Sequence, residues 1–194
     1  MSQPFNRAAT ASCPGAPDPS LGELWVEDPF RINWENNLSS YERNRAFLSM
    51  GGESFLEISH LTGADSDGDA RACVAADLEG DGRQELIVRQ TGGGAVLIFE
   101  NRFPAGNWVA VRLRGTTSNR HGIGARLVAE AGGRLIVRHQ FPVNSYRSQA
   151  SNSIHFGLGS AKQVDRLTIR WPSGQIQVIE NLETKKLHYI SESS

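Results

Sequence analysis

The densest chemistry in this 194-residue sequence lies in one nine-residue stretch, Asp77-Leu78-Glu79-Gly80-Asp81-Gly82-Arg83-Gln84-Glu85. Carboxylates stand at positions 1, 3, 5 and 9, and glycines at 4 and 6. Calcium takes roughly six to eight hard oxygens at about 2.3–2.6 Å, so a loop that wraps it must turn sharply and aim alternate residues inward. Asp77, Glu79, Asp81 and Glu85 would supply carboxylates, and the backbone carbonyl of Arg83 the ligand at position 7. Without a counter-ion, carboxylates this close repel one another, and Arg83 is the one cation in the stretch. The plainer alternative is a polar β-turn, where Asp and Gly are favoured in any case.

Two features lower the affinity expected of such a site. Spaced as the first half of an EF-hand loop, the stretch has Val88 at position 12, so Glu85 must close the shell in place of a bidentate glutamate. Glu79 also stands where a shorter Asp or Asn fits better. A second cluster, Asp65-Ser66-Asp67-Gly68-Asp69, shows the same alternation. No carboxylate closes it, and three are too few for a calcium shell. Arg71 is as good a neutraliser for Asp65, Asp67 and Asp69 as a second ion.

Other candidate groups lie further on. Asn119, Arg120 and His121 sit in a glycine-flanked loop, and loops carry ligand contacts more often than strands do. The competing reading is that Gly122 and Gly124 only shape a turn. His155 falls in an alternating strand, where a structural histidine is the ordinary case. A pairing of His139 with His155 across neighbouring strands would make a metal site or acid–base pair. No Gly-x-Ser-x-Gly elbow, no His-Glu-x-x-His and no phosphate-cradling loop occurs, so no catalytic residue is assigned.

The elements that must position these groups read as strands. Phe47 and Phe55 flank Gly51-Gly52 in a hairpin pattern. Arg71–Ala76, Glu85–Thr91 and Ala95–Asn101 follow as three more strands. In the second half, Val109, Val111 and Leu113 alternate with Ala110, Arg112 and Arg114, a period of two with a basic outer face. Strands are expected at 125–131, 134–141, 154–158, 164–171 and 175–179, with turns at Gly132-Gly133 and Pro172-Ser173-Gly174. Leu167, Ile169 and Trp171 should face one way, and Arg166, Thr168 and Arg170 the other. Twenty glycines, eight prolines and three lysines fit strands and tight turns. The fold expected is all-β.

Net charge is −1, but unevenly distributed. Residues 1–103 hold 16 acidic and 8 basic side chains, a balance of −8, and residues 104–194 hold 5 and 12, a balance of +7. That shift marks two modules. The expected division is a tail and extended arm over 1–43, a first β unit over 44–103 and a second over 104–194. The outward arginines Arg112, Arg114, Arg166 and Arg170 suit an anionic partner. An anionic carbohydrate, an acidic protein surface or the chain's own acidic first module would serve, and self-docking explains both balances at once. With three lysines and no basic run interleaved with aromatics, nucleic acid is not expected. No apolar run reaches the ~18 residues of a membrane helix, and residues 1–22 lack the apolar core of a signal peptide. Cys13 and Cys73 are too few for a disulfide framework or zinc site.

Phe47-Leu48 through Gly51-Gly52 to Phe55, followed by Asp77–Glu85 and Leu86-Ile87-Val88, resembles one FG-GAP (VCBS-type) repeat, a β-propeller blade unit with a calcium loop. Ser118-Asn119-Arg120-His121-Gly122-Ile123-Gly124-Ala125-Arg126 resembles the opening of the ASPIC/UnbV domain. So, in the family's order, do Ser148-Gln149, His155-Phe156-Gly157-Leu158-Gly159, Val164-Asp165 and Trp171-Pro172-Ser173-Gly174. The sequence departs from that family at His121, where Asp is usual, and around 143–146, which is glycine-rich in the family. One blade cannot close a propeller. The resemblance implies an FG-GAP-like β unit packed on a β-sandwich or barrel-like module, as a piece of a longer multi-repeat protein, secreted or extracellular. The function expected is a calcium-stabilised, non-catalytic binding or scaffold module for protein or carbohydrate. The alternative is an accessory protein or enzyme of secondary metabolism, resembling UnbV of enediyne clusters, with its site around Asn119–Gly124 and His155.

Overall fold

Alternating apolar and polar residues, interrupted by glycine turns, produce an all-β fold with one short helical turn among the described residues. The computed structural model describes residues 43–66, 70–90, 95–141, 143 and 148–193. Cys13 and the expected N-terminal arm lie outside these residues. The chain divides into two units, one formed by Met1–Arg71 with Arg89–Val96 and the other by Ala72–Val88 with Leu97–Ser194.

In the first unit, β1 (Phe47–Ser49) and β2 (Phe55–Glu57) pair as the expected hairpin, with Leu48 opposite Leu56. A single helical turn, α1 (Ser59–Thr62), follows. The buried Ser59 hydroxyl accepts the Ala46 N–H at 2.7 Å, tying the turn back to the hairpin.

Three strands come next along the chain: β3 (Ala70–Ala76), β4 (Glu85–Gln90) and β5 (Leu97–Phe99). They form one sheet in the order β3-β4-β5, and Leu86, Ile87 and Val88 run antiparallel to Phe99, Ile98 and Leu97. The acidic stretch is the connection from β3 to β4.

The rest of the second unit consists of β6 (Asn107–Arg114), β7 (Arg126–Ala131), β8 (Arg134–His139), β9 (Ser153–Gly159), β10 (Gln163–Arg170), β11 (Ile176–Glu183) and β12 (Lys186–Ser191). These make a four-stranded sheet, β11-β10-β7-β8, and a three-stranded sheet, β12-β6-β9. Period-two alternation sends Val109, Val111, Leu113, Ile154, Phe156 and Leu158 inward from one sheet. Leu127, Ala129, Val164, Leu167, Ile169 and Leu182 come inward from the other, and Trp171 and Ala125 join them in one apolar cluster. The arrangement is a sandwich of two sheets sharing a core, not a closed barrel.

The expected facing along β6 and β10 holds for Val109, Val111, Leu113, Leu167, Ile169 and Trp171, which are buried, and for Arg112, Arg114, Arg166 and Arg170, which are exposed, but Ala110, expected on the outer face of β6, is buried. Two further features depart from the sequence reading. A twelfth strand, β12, was not expected, and it pairs with β6 in parallel, so the strands are not all antiparallel. Among the described residues, no helix is long and apolar enough to cross a membrane.

Candidate functional site

The acidic turn is organised around Asp77. Its Oδ1 accepts the N–H groups of Gly80 (2.7 Å) and Asp81 (3.1 Å), and its Oδ2 accepts that of Gly82 (2.8 Å). Three backbone dipoles therefore converge on one carboxylate, the arrangement that stabilises its charge. Asp81 Oδ1 accepts the Arg83 N–H at 2.8 Å, and Asp81 Oδ2 accepts Arg83 Nε at 2.7 Å, with Nη2 also paired to it. The Arg83 guanidinium holds the Asp81 carboxyl below its usual range, and Asp81 raises Arg83 in return. At the mouth of β4, the buried Glu85 accepts the Leu78 N–H on Oε2 at 2.9 Å and closes the turn.

The turn rests on an aromatic platform. Gly82, at φ +87°, lies so close to Trp108 that a Cβ on it would overlap the indole ring. Trp108, at the start of β6, stacks on His155 of β9, with ring centroids 6.0 Å apart and an interplanar angle of 19°. Burial pushes the His155 imidazole below its usual range, against the opposing pull of a hydrogen bond with the Gly82 backbone and the Asp77 charge. Its Nε2 is buried and has no hydrogen-bond partner among the described residues. Beside this stack, Gly82, Arg83, Asn101, Phe103, Trp108 and His155 line an open cleft of about 220 Å³.

Whether calcium fits can be judged from the oxygens still free. Asp77 spends three of its acceptor positions on N–H groups, and Asp81 spends its own on Arg83. Arg83 thus neutralises Asp81, and three backbone N–H groups offset the charge of Asp77. Among the described residues, no group of three or more His, Cys, Asp or Glu side chains converges as a metal shell. The exposed Glu79, the second oxygen of Glu85 and the carbonyl of Arg83 are not spent on these hydrogen bonds.

The other candidate residues are placed as follows. Asp65 pairs with Arg43 at 3.1 Å and faces His60 Nδ1 at 3.5 Å, so arginine serves as its neutraliser, though Arg43 and not Arg71. Asp67 and Asp69 lie outside the described residues. Asn119 spends both ends of its amide on Ile123, accepting its N–H and donating to its carbonyl, each at 2.8 Å. That closes the 119–123 loop as a turn and leaves Arg120 and His121 exposed. This loop follows the last residue of β6, whereas His155 stacks at the other end of that strand, so the two halves of the expected ligand site are not brought together. His139 and His155 stand on different sheets.

Sequence reasoning missed Glu192. This carboxylate is buried just beyond β12. Its Oε2 accepts the N–H groups of Thr116, Thr117 and Ser118 at 2.7–2.9 Å, and its Oε1 the hydroxyls of Ser118 (2.8 Å) and Ser173 (2.6 Å). Burial acts to raise its pKa, but the hydrogen bonds from Ser173, Ser118 and Thr116 outweigh it and hold it at about 2. Ser118 and Ser173, two of the residues that carry the family resemblance, thus converge on one buried anion. A family model described as ASPIC and UnbV matches residues 115–194, the stretch from this carboxylate nest to the end of the sandwich. No curated protein matches the chain at a significant level.

Proposed function

We propose that the second unit is a non-catalytic binding or scaffold module whose acidic turn takes Ca²⁺ in exchange for the Arg83 side chain. The observation that supports this reading is the state of the turn. Its backbone is already wound tightly, with Asp77 fixed by three N–H donors, and the cation balancing Asp81 is a half-buried side chain of the turn itself, which a metal would have to displace. Asp77, Glu79, Asp81, Glu85 and the Arg83 carbonyl would hold the ion. When bound, calcium supplies charge neutralisation and a rigid connection from β3 to β4, which fixes Gly82 against Trp108. The first half of the unit then resembles an FG-GAP (VCBS-type) connection, and the module presents loops to a protein or anionic carbohydrate outside the cell.

The accessory-enzyme reading is less well supported. Reaction chemistry asks for groups that converge on one point, whereas the Asn119 amide is spent on Ile123 and His155 is stacked at the opposite end of β6.

Trp108 provides the test. Tb³⁺ replaces Ca²⁺ in oxygen sites, and an adjacent indole sensitises its emission. Excitation of tryptophan should give Tb³⁺ luminescence that added Ca²⁺ removes and that Asp77→Asn abolishes. Equal emission from parent and variant would overturn the calcium reading.

A further inference from the structure

The outer face of the four-stranded sheet is ordered in three rows that run across the strands. Register sets the first row as Glu180, Arg166, Glu130 and Leu135. The middle row is Val178, Thr168, Val128 and Val137, and the third is Ile176, Arg170, Arg126 and His139. The inward neighbours Leu127, Ala129, Leu167 and Ile169 are buried, so all three rows face outward. Leu135 is 70% exposed, Ile176 64% and Val178 51%.

Charge is unevenly divided between the rows. In the first, Arg166 lies between two carboxylates, 3.8 Å from Glu130 and 3.6 Å from Glu180, leaving that row net negative. In the third, Arg170 and Arg126 are directly opposite one another, and among the described residues neither is within ion-pair distance of a carboxylate. Like charges directly opposite in a sheet are unfavourable. A negative surface laid on that row would relieve them.

We infer that this face binds a second copy of the same chain. A two-fold axis along the middle row turns one face onto the other, in the aligned packing that sheets adopt. The aliphatic row then lies on its own copy, and the negative row of each subunit lies on the positive row of the other, the self-complementary pattern of an isologous interface. On β7, Glu130 meets Arg126 of the second copy, twice. Arg166 falls opposite Arg170 but is flanked there by Glu180 and Glu130. None of the twelve residues in the rows is Phe, Trp or Tyr, so the face lacks the aromatic platforms on which sugar rings stack, and its apolar row matches aliphatic side chains.

Strand spacing and rise give a face of roughly 20 by 20 Å, about 800 Å² buried over both copies. That is the size of a weak, exchanging interface. The test is sedimentation velocity on the full chain from about 10 to about 500 μM, the range in which so small an interface assembles. The sedimentation coefficient should rise with concentration. Arg126→Glu and Glu130→Arg, each checked for folding by circular dichroism, should weaken association about tenfold, and Arg126→Glu with Glu130→Arg should restore it. Residues 126 and 130 are about 13 Å apart along one strand, so rescue cannot arise within a single chain. Val128→Glu, which sets two like charges together on the axis, should abolish association. A chain monomeric throughout the range would overturn the proposal. So would a dimer indifferent to these variants, or a face that binds heparin while the chain stays monomeric.

Discussion

Gly82 of the acidic turn lies against the indole of Trp108 at the start of β6, with no room between them for a Cβ. Twenty-six residues separate the two in sequence, yet this contact fastens the β3–β4 connection to the sandwich. Gly80, two residues earlier, shares the left-handed conformation at φ +76° but faces open space. The pair therefore separates backbone strain from docking. Alanine at either position should cost about 1–2 kcal/mol for the left-handed conformation. Gly82→Ala should cost about 1–3 kcal/mol more through overpacking. Urea denaturation of both variants checks the difference.

The core of the sandwich should behave as one unit. Phe156 is fully buried among residues of both sheets, with the Arg138 guanidinium 5.9 Å over its ring. Phe156→Ala should cost about 3–5 kcal/mol, the transfer loss plus the cavity left behind. Loss of near-ultraviolet circular dichroism at a lower urea midpoint is the readout.

Acid should unlock the C-terminal end. The Glu192 carboxyl is held at about 2 against a usual 4.5, so the folded state favours the ion more than the unfolded state does. A depressed carboxyl contributes its full stability above the unfolded value and loses it as pH falls. The window is thus from about 4.5 down to about 2. Parent protein should lose stability steeply across that window, and Glu192→Gln should show a shallower acid slope from a lower neutral-pH starting point. Denaturation midpoints at several pH values test it, and identical slopes would contradict the nest.

Several of these relationships were not legible in the sequence, for physical reasons. The strands that alternate cleanly, such as Leu167-Thr168-Ile169, announce both their type and their inner face, because burial on one side fixes a period of two. β12 does not: Lys186-Leu187-His188-Tyr189-Ile190 alternates poorly, and it is a strand because it pairs in parallel with β6, which begins 79 residues earlier. Glu192 is an ordinary acid between two serines, and its donors lie 74–76 residues upstream and at Ser173. The turn at Asp77–Glu85 was legible as a tight acidic loop, since its carboxylates and glycines are local. That Arg83 would fold back on Asp81 was not, since side-chain pairing at that range depends on the backbone the turn adopts. The loop at Asn119 read equally as a ligand contact or as a plain turn, and the Asn119 amide closes it on Ile123, a pairing set by the backbone of the turn.

Arg83 sets a competition that can be measured. If the guanidinium occupies Asp81 in the calcium-free turn, Arg83→Gln should tighten Ca²⁺ binding, since the ion no longer displaces an internal cation. Isothermal titration should show a higher affinity and a stronger salt dependence than the parent, since the site gains one unit of negative charge. An unchanged affinity would place Arg83 outside the exchange.

The most direct measurement of the central claim is thermal unfolding in EGTA and again with Ca²⁺, on the parent and on an Asp77→Ala, Asp81→Ala double variant. A ligand that binds only the folded state at 100 times its dissociation constant adds about 2.7 kcal/mol, about 5–10 °C in midpoint for a chain of this size. The account predicts that Ca²⁺ raises the midpoint of the parent by that order and leaves the variant unmoved. A parent whose midpoint is the same in EGTA and Ca²⁺, or a variant that responds as the parent does, would show that Asp77–Glu85 is a turn closed by its own N–H groups and Arg83, with no role for the ion.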